Sequence, residues 1–336
     1  MTEITYTNSS TSCFRRCPRE YDLRYRRRLS PHGEDREVLQ VGRAWHKAHD
    51  AFEKAVDPAH AQPAAYEAIQ RHAPGDAWKE KLSRLFAGYL WRWSREPLEI
   101  VQAERVFRVE LDGFIGEGQI DAVARIDGRL GLVERKTSGE DLAPGAPYWD
   151  RLRMDSQLSF YAAAFRELVG EPPAFILYDV VRKPTIRPKN LVKKDMQRLR
   201  MELRSKGVGT YYGQQFSADV VEAALHGGTE TTALYGARLT ADIGDRPDFY
   251  YQRRFVPRTE LDMRAARADV AHTVGMIRHL ESGAPFFPRN PESCARFGLC
   301  DFFGLCSNND YPDHDTVPGG FARREHLHPE LHTDGN

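Results

Sequence analysis

The fold of this chain is decided by one stretch, Gly118-Gln-Ile-Asp121-Ala-Val-Ala-Arg-Ile-Asp-Gly128-Arg-Leu-Gly-Leu-Val-Glu134-Arg-Lys136. Its Asp-Gly pair is typical of a tight hairpin turn, so the strand around Asp121 folds back against the strand around Glu134. Because side chains alternate along a strand, Glu134 and Lys136 lie on one face and Arg135 lies on the other. We therefore expect Asp121, Glu134 and Lys136 to converge.

Two carboxylates and a lysine at this spacing suit metal-assisted hydrolysis. Carboxylate oxygens are the ligands that Mg²⁺ and Mn²⁺ prefer, and a nearby ammonium group can orient or help deprotonate the attacking water. The two charges follow an apolar run, residues 130–133, and are costly to bury without a purpose. The alternative is a surface ion pair on an exposed strand, which is the commoner outcome for an isolated Glu-x-Lys.

The stretch resembles the active-site signature of the PD-(D/E)XK nuclease superfamily, in its RecB-like branch, where Gly-x-x-Asp shortly precedes (D/E)-x-K. The resemblance implies that Asp121 and Glu134 hold Mg²⁺ or Mn²⁺ with help from the Arg135 carbonyl, and that Lys136 serves the nucleophilic water. It also implies an α/β fold with a mixed central sheet flanked by helices, carrying a helical elaboration.

A helix is predicted upstream, because residues 41, 45, 48 and 52 are apolar at helical spacing. His46 lies beside this apolar stripe. After Gly42 it also matches the Gly-x-x-x-His pattern of RecB-like nucleases, which implies that His46 is a metal ligand. His49 is the competing candidate but lacks the glycine spacing. Without the hairpin, a histidine in this setting is more often a partly buried core residue.

A second helix is predicted downstream over residues 156–165, with Ser156 as its start signal. Gln157 and Tyr161 are four residues apart and share one face of it. The pair resembles the Q-x-x-x-Y motif of the same family. This implies that Gln157 and Tyr161 line the active site, steady the lysine and touch the nucleic-acid backbone.

The chain has five cysteines, two near its start and three near its end. The absence of an apolar signal sequence and of an apolar run of membrane-spanning length predicts a cytoplasmic, reducing setting without a membrane partner. Metal or cluster ligation is then favoured over disulfides. The paired Cys-x-x-Cys knuckles of zinc sites are missing, and four thiolates can hold an iron–sulfur cluster.

Some RecB-like nucleases, including the AddB helicase–nuclease subunit and the CRISPR-adaptation exonucleases, bind a 4Fe–4S cluster through one cysteine before the nuclease core and three after it. Cys17-Pro18-Arg-Glu-Tyr21 resembles the context of the first. The resemblance implies a structural cluster, although the first gap in the C-terminal set exceeds the family's Cys-x2-Cys. Three idle thiols, or a zinc staple in a protein acting on another substrate, are the alternatives. Cys13 is expected to be a spare. The implied cluster ligands are Cys17, Cys294, Cys300 and Cys306.

The charges balance overall, since Lys+Arg and Asp+Glu both total 48, so net charge does not indicate nucleic-acid binding. Arginines nevertheless crowd the N-terminal segment among aromatic residues, and a lysine follows the strand-like run 175–181. Such groups can contact phosphates. The alternative is the solvated face of an ordinary helix. The predicted contacts are Arg15, Arg16, Arg19 and Lys183.

Taken together, these patterns predict a metal-dependent deoxyribonuclease, more specifically an exonuclease of DNA recombination, repair or phage DNA processing. Its partner would be DNA that is single-stranded or has single-stranded ends, with a helicase or recombination protein as a further possible partner. A catalytically silent nucleic-acid-binding or assembly subunit is the alternative. The predicted organisation is one nuclease domain over 1–308 (core about 38–185, helical elaboration about 186–285, cysteine loop 286–308 joined to 10–30), followed by a disordered tail over 309–336.

Overall fold

A computed structural model describes residues 4–33, 36–283, 286–296, 298–313, 315–328 and 331. The strands in this part of the chain are β1 Thr5–Tyr6, β2 Leu29–Pro31, β3 Glu99–Leu111, β4 Phe114–Ile126, β5 Arg129–Ser138, β6 Ile176–Arg182, β7 Val208–Tyr211, β8 Gln214–Ser217, β9 Tyr251–Phe255 and β10 Phe321–Arg323. The α-helices are α1 Asn8–Arg16, α2 Pro18–Tyr21, α3 Glu37–Lys54, α4 Pro58–His72, α5 Gly75–Arg92, α6 Pro147–Arg151, α7 Ser156–Val169, α8 Lys193–Lys206, α9 Ala218–Gly227, α10 Thr232–Asp245, α11 Pro247–Tyr250, α12 Glu260–Gly283 and α13 Phe303–Ser307. A π-helix covers Asp22–Arg26, and 3-10 turns cover Leu152–Met154 and Pro291–Ser293.

The central sheet is mixed, with the strand order β1-β4-β5-β6-β9 and with β3 paired to β4. Strands β3, β4 and β5 form an antiparallel meander, β6 returns parallel to β5, and β9 pairs antiparallel to β6. The parallel return of β6 follows a crossover that contains α7, as the connection between parallel strands requires. The predicted α/β fold with a mixed central sheet flanked by helices is confirmed.

Both faces of the sheet are covered, which explains why β6 is an almost continuous apolar run. On one face Tyr178 and Val180 pack in a core with residues of α7 and α12. On the other face Val181 packs in a second core with residues of α3, α4, α5 and α10. The meander of β3, β4 and β5 therefore lies in a sheet between two helical layers.

The segment predicted as helical elaboration also contains a β-hairpin. Strands β7 and β8 pair antiparallel across a turn at Tyr212 and Gly213, both of which have positive φ, 44° and 76°. A two-residue hairpin turn of this hand requires such angles. A tyrosine in the first position is not a usual turn signal, so the pattern of residues concealed the hairpin.

The tail differs from the predicted disorder where the structure describes it. Strand β10 pairs antiparallel with β2 over three residues, and the Tyr311 hydroxyl donates to the Asp22 carboxylate. The remaining tail residues 314, 329–330 and 332–336, for which disorder was also predicted, lie outside the described residues. No helix in the described part of the chain has the length and apolar character that crossing a membrane requires.

Candidate metal centre and cysteine pocket

The hairpin forms where the Asp-Gly pair predicted it. Asp127 and Gly128 have φ values of 49° and 77°, as a tight turn between antiparallel strands requires. The strands pair from the turn as far as Ala122 and Val133. Beyond that pair the Arg135 backbone N–H donates to Asp121 Oδ2 at 2.7 Å, so a side chain takes the place of the next ladder bond.

Because a side chain replaces a backbone hydrogen bond here, the backbone pairing beside β4 is interrupted, which leaves a gap. On one side, β4 pairs with β1 at residues 115–116 and with β5 at residues 122–126. Asp121 lies between those two stretches. In an extended strand the N–H and C=O of one residue face the same neighbour, so the Arg135 carbonyl faces this gap together with its N–H.

Three residues bring potential ligand atoms together at the gap. His46 Nδ1 lies 3.3 Å from Asp121 Oδ1, and one ligand atom each of His46, Glu104 and Asp121 lies within 4.8 Å of the others. Helix α3 supplies the histidine, β3 supplies Glu104 and β4 supplies Asp121.

Glu104 is the residue that the sequence pattern did not reveal. In the β3–β4 ladder, Ala103 pairs with Ala122 and Arg105 with Ile120, which places Glu104 opposite Asp121. The sequence did carry a signal for this pairing. Counting equal numbers of residues along both strands from the short turn between Leu111 and Phe114 reaches Glu104 and Asp121.

Glu134, Lys136 and Gln157 form a cluster next to these ligands. The Lys136 ammonium pairs with Glu134 Oε1, and Gln157 Nε2 donates to the same oxygen at 2.8 Å. Lys136 Nζ also donates to Gln157 Oε1 at 3.3 Å. Helix α7 starts at this point because Asp155 caps it, accepting from the backbone N–H of Gln157. The structure thus brings Gln157 to Glu134 and Lys136 as the family motif predicted.

Tyr161 lies one turn further along α7, against the β3–β4 pair. Its ring meets the Phe107 ring edge-on, with 5.6 Å between centroids. A Cβ at Gly118 would lie 2.8 Å from the Phe107 ring and 3.3 Å from the Tyr161 ring. The glycine of Gly-x-x-Asp is therefore required by these aromatic neighbours, whose packing seats α7 over the strand that carries Asp121.

The two histidines of α3 have different surroundings. His49 is 2% exposed and lies among the rings of Trp45, Phe86 and Tyr89, with centroids 4.8–5.1 Å away. Burial, followed by the charge of Arg135, lowers the pKa of His49 well below its usual value. His49 thus faces the core, whereas His46 faces the carboxylates.

The acidic groups of the site shift one another's pKa values. Burial and then the charge of Asp121 raise the pKa of Glu134 to about 7, and the same causes raise the pKa of Glu104 to about 7. Burial opposes ionisation of Asp121 as well, but His46, Lys136 and the Arg135 N–H together hold the pKa of Asp121 below its usual value. A concentration of negative charge of this kind favours a bound cation.

Arg135 points to the opposite face, as strand alternation predicted. Its guanidinium pairs with Glu53 of α3, and both side chains are buried. The pair lies beneath the peptide whose N–H holds Asp121.

Comparison with known proteins identifies the family. The family model of the PD-(D/E)XK nuclease superfamily matches residues 5–307. The chain belongs to the PD-(D/E)XK nuclease superfamily. Membership implies a hydrolytic nuclease that binds nucleic acid, and the superfamily predicted from the sequence is confirmed.

Two solved structures are distantly similar to this nuclease. One is called "Putative exonuclease" and comes from Eubacterium rectale; it is 12% identical, with a TM-score of 0.44 and coverage of 93% of this chain and 90% of that chain. The other, called SSO0001, is 13% identical, with a TM-score of 0.30 and coverage of 82% and 89%. No curated protein matches the chain. The family model alone carries the assignment.

The N-terminal arginines of the nuclease have protein partners. Arg16 pairs with Glu20 at 2.7 Å, and Arg19 donates to the Phe287 carbonyl at 2.9 Å. Arg15 is exposed and donates to Ser156 Oγ at 3.4 Å, next to Gln157. Lys183 is partly buried, and burial lowers its pKa. The contacts of these four residues with nucleic acid stay predictions. Arg15 contacts Ser156, the residue that precedes Gln157 of the candidate site.

Four of the five cysteines line one pocket of about 210 Å³. Cys17 lies between α1 and α2, and the other three lie in the C-terminal loop, so the pocket joins the two regions that were predicted to meet. The Asn290 backbone N–H donates to Cys17 Sγ at 3.4 Å. Cys13 instead packs in the main core, 2% exposed. The pocket cysteines are Cys17, Cys294, Cys300 and Cys306.

Proposed function

We propose that this protein is a metal-dependent deoxyribonuclease that degrades DNA from single-stranded ends. The observation that carries the proposal is the convergence of His46, Glu104 and Asp121 within 4.8 Å, beside the cluster of Glu134, Lys136 and Gln157. A nuclease needs such a set, because cleavage of a phosphodiester depends on positioning and on neutralising the charge of the phosphate.

The donors fit Mg²⁺ or Mn²⁺. Carboxylate and carbonyl oxygens with one imidazole are the ligands these ions accept. We assign His46, Glu104, Asp121, Glu134 and the Arg135 carbonyl to the metal. When bound, the metal polarises the scissile phosphate and lowers the pKa of coordinated water.

The chain's own side chains orient the reactants. Burial opposes the charged form of Lys136, but Glu134 and Asp121 raise its pKa above the usual value. Lys136 therefore remains an ammonium and acts as a hydrogen-bond donor that positions the attacking water. Gln157 fixes the positions of the Glu134 and Lys136 side chains relative to each other, because its amide forms a hydrogen bond with each of them.

The test is a cleavage assay on single- and double-stranded DNA carrying a label at either the 5′ or the 3′ end, with Mg²⁺ or Mn²⁺. We expect stepwise shortening from one end, abolished by chelation. Asp121→Ala and Lys136→Ala should each lower the rate by about 100-fold or more while DNA binding persists. Glu110→Ala, at an exposed position of β3, is the matched control. Undiminished cleavage in either site variant contradicts the proposal.

A catalytically silent assembly subunit is the competing function. It predicts DNA binding without cleavage under every metal condition. The gathering of three carboxylates, those of Glu104, Asp121 and Glu134, near Lys136 favours the enzyme.

We further propose that the cysteine pocket holds a 4Fe–4S cluster, which would place the protein in the RecB-like branch with the AddB-type nucleases. A single zinc ion with Zn–S bonds of about 2.3 Å would draw its sulfurs within about 4 Å of one another. Among the described residues, only His46, Glu104 and Asp121 bring three ligand atoms within 4.8 Å, so the pocket sulfurs are spaced more widely than one zinc ion requires. An N–H···S bond to Cys17 is also typical of such clusters.

The cluster proposal is tested by metal and sulfide analysis of protein purified without oxygen. We expect iron and sulfide together with visible charge-transfer absorption, and their loss in Cys294→Ser. Cys13→Ser should retain both, because Cys13 lies outside the pocket. Stoichiometric zinc in place of iron contradicts the cluster. A role in recombination, repair or phage DNA processing beside a helicase is the biological setting we propose for this branch.

A further inference from the structure

Helix α8 belongs to a small unit outside the central sheet and carries a dense positive charge. Residues 187–206 contain eight lysines and arginines but two acidic residues, whereas basic and acidic residues are equal in number over the whole chain. On its inner side α8 contributes Leu199 to a core that it shares with β7 and α9. This core contains none of the metal ligands proposed above. The charge of α8 therefore lies on a surface separate from the metal centre.

The basic side chains of α8 lie together on its outer side. At about 100° per residue, Lys193, Arg200 and Arg204 fall within about 40° of one another around the helix axis. An arc of about 160° contains these three and two further basic residues but no acidic residue, since Asp195 and Glu202 lie beyond its edge. All five basic side chains are exposed. We call them the basic stripe, which consists of Lys193, Lys194, Arg198, Arg200 and Arg204.

The acidic residues of α8 leave most of this charge uncompensated. Asp195 pairs with Arg198 at 3.1 Å, and Glu202 accepts from the Thr210 backbone N–H at 2.6 Å. Within the described part of the chain, the other four side chains of the basic stripe have no ion-pair or hydrogen-bond partner. Their charges are therefore available to a ligand.

A buried carboxylate fixes the position of this unit on the protein. Glu230 is 5% exposed and accepts from the Lys189 backbone N–H, just before α8, at 3.0 Å. It also accepts from the Tyr211 hydroxyl of β7 at 2.9 Å and from Arg238 Nε of α10 at 2.6 Å. Helix α10 in turn packs in the second core of the central sheet. The basic stripe is thus held in place before a ligand arrives, which lowers the entropy lost on binding.

The exposed side chains of α8 fit a polyanion better than a protein surface. Within α8, which is described throughout, Met201 is the only large apolar side chain that is exposed. A stable protein interface has an apolar centre, which this helix does not offer. Arginines bind phosphate groups through paired N–H donors. From Lys193 to Arg204 the stripe is roughly 17 Å long, enough to reach several phosphates of one DNA strand.

We propose that the basic stripe binds the phosphodiester backbone of the DNA substrate away from the cleaved bond. The proposal rests on the nuclease function proposed above and adds a second contact with the same substrate. The metal centre acts on the scissile phosphate, while the stripe holds a more distant part of the DNA. Its contribution is electrostatic and independent of base sequence, so it should weaken as salt is added.

Binding of a labelled DNA duplex with a single-stranded end tests the basic stripe. Fluorescence anisotropy in chelator measures the affinity without cleavage, from about 50 to 200 mM salt. The variant Arg200→Glu/Arg204→Glu should bind about tenfold or more weakly, because two phosphate contacts are replaced by repulsion. The slope of log affinity against log salt should also become shallower by about 1.5.

The matched control is Arg95→Glu/Arg264→Glu, which reverses two exposed arginines outside α8. Like the arginines it is compared with, these two have no ion-pair or hydrogen-bond partner among the described residues. The control should keep the salt slope within about 0.5 of the wild-type value. An equal loss of affinity in the control would reveal a general effect of charge and contradict the proposal.

The neutral variant Arg200→Gln/Arg204→Gln guards against an effect of misfolding. It should also bind DNA more weakly, while its thermal melt matches that of the wild type because both side chains are exposed. If the wild type cuts DNA and the glutamate variant binds DNA as the wild type does, the proposal for α8 fails alone. If the wild type binds DNA through the stripe but does not cut it, the nuclease proposal fails instead.

Discussion

At the scale of single residues, Glu104 carries the clearest sign of function. Its φ of 49° lies in the left-handed region that ordinary side chains rarely adopt. Such conformations persist where the surrounding structure imposes them, and they cluster at functional sites. The ladder on either side of Glu104 continues in register, so the unusual backbone is confined to the residue that faces Asp121.

We expect Glu104→Gln to weaken Mn²⁺ binding by at least about 10-fold, because even groups that only orient a metal ligand contribute about 10- to 100-fold to affinity. The amide keeps the size of the side chain but removes the negative charge. Titration calorimetry with Mn²⁺ on metal-free protein measures the change. Glu110→Gln on the same strand should bind Mn²⁺ as the wild type does; equal affinities for all three proteins contradict the assignment of Glu104.

At the scale of elements, the contact between α7 and the β3–β4 pair positions Gln157 over Glu134. This contact depends on the absence of a side chain at Gly118, whose position faces the rings of Phe107 and Tyr161. Gly118 of the Gly-x-x-Asp motif is therefore a position at which β4 and α7 pack closely.

Gly118→Ala should destabilise the protein by about 1–3 kcal/mol, because the new methyl group overlaps two packed rings. Urea unfolding measures the free energy. Gly275→Ala provides a control of opposite sign: Gly275 is exposed within α12 and has open space around it, so alanine should stabilise by about 0.5–1 kcal/mol. A neutral Gly118→Ala would show that α7 can shift freely.

His49 of α3 leads us to predict that the stability of the protein depends on pH. The charged neighbours of His49 are Glu53, Arg135, Asp179 and Arg253, with His46 one turn away. Their combined effect, added to burial, keeps the folded His49 neutral. Because the pKa of His49 is lowered on folding, His49 binds a proton in the unfolded chain at pH values at which it stays neutral in the folded chain.

Stability should therefore be fully present above the ordinary histidine pKa of 6.5 and should decline as pH falls below it. The slope from this one group approaches about 1.4 kcal/mol per pH unit. We expect the melting temperature of His49→Gln to fall less than that of the wild type between pH values of about 7.5 and 5.5. Parallel curves for the two proteins contradict this account.

At the scale of the whole molecule, the two ends of the chain are joined. Strand β2 pairs with β10, Asp301 pairs with Arg24, and the cysteine pocket contains residues from both ends. Closing a loop of nearly the whole chain removes much conformational entropy from the unfolded state, so a cluster in the pocket would act chiefly as a staple.

If the proposed cluster occupies the pocket, removing it should lower the free energy of unfolding by about 3–5 kcal/mol, the range for a crosslink that closes a long loop. It should also make the described tail sensitive to protease, which gel analysis after limited digestion detects. Cys294→Ser should reproduce both effects. Cys13→Ala should lower stability through lost core packing while iron content and tail protection remain. Unchanged tail protection in cluster-free protein contradicts the staple role.

Features that depend on neighbouring residues could be predicted without the structure. The Asp127-Gly128 turn, the alternation that separates Glu134 and Lys136 from Arg135, and the spacing within α3 and α7 all follow from backbone sterics and element periodicity. These local rules sufficed to predict that Asp121 lies beside the Glu-x-Lys pair, whereas the family was predicted from the resemblance of the motifs to its signature.

Features that depend on contacts between distant segments became visible only in the folded protein. Strand register brought Glu104 to Asp121, and helix packing turned His46 rather than His49 toward the carboxylates. Tertiary contacts also paired Arg16 with Glu20 and Arg24 with Asp301, and they brought Cys17 to the C-terminal cysteines. No local pattern specifies such contacts, because they depend on which faces of separate elements bury each other.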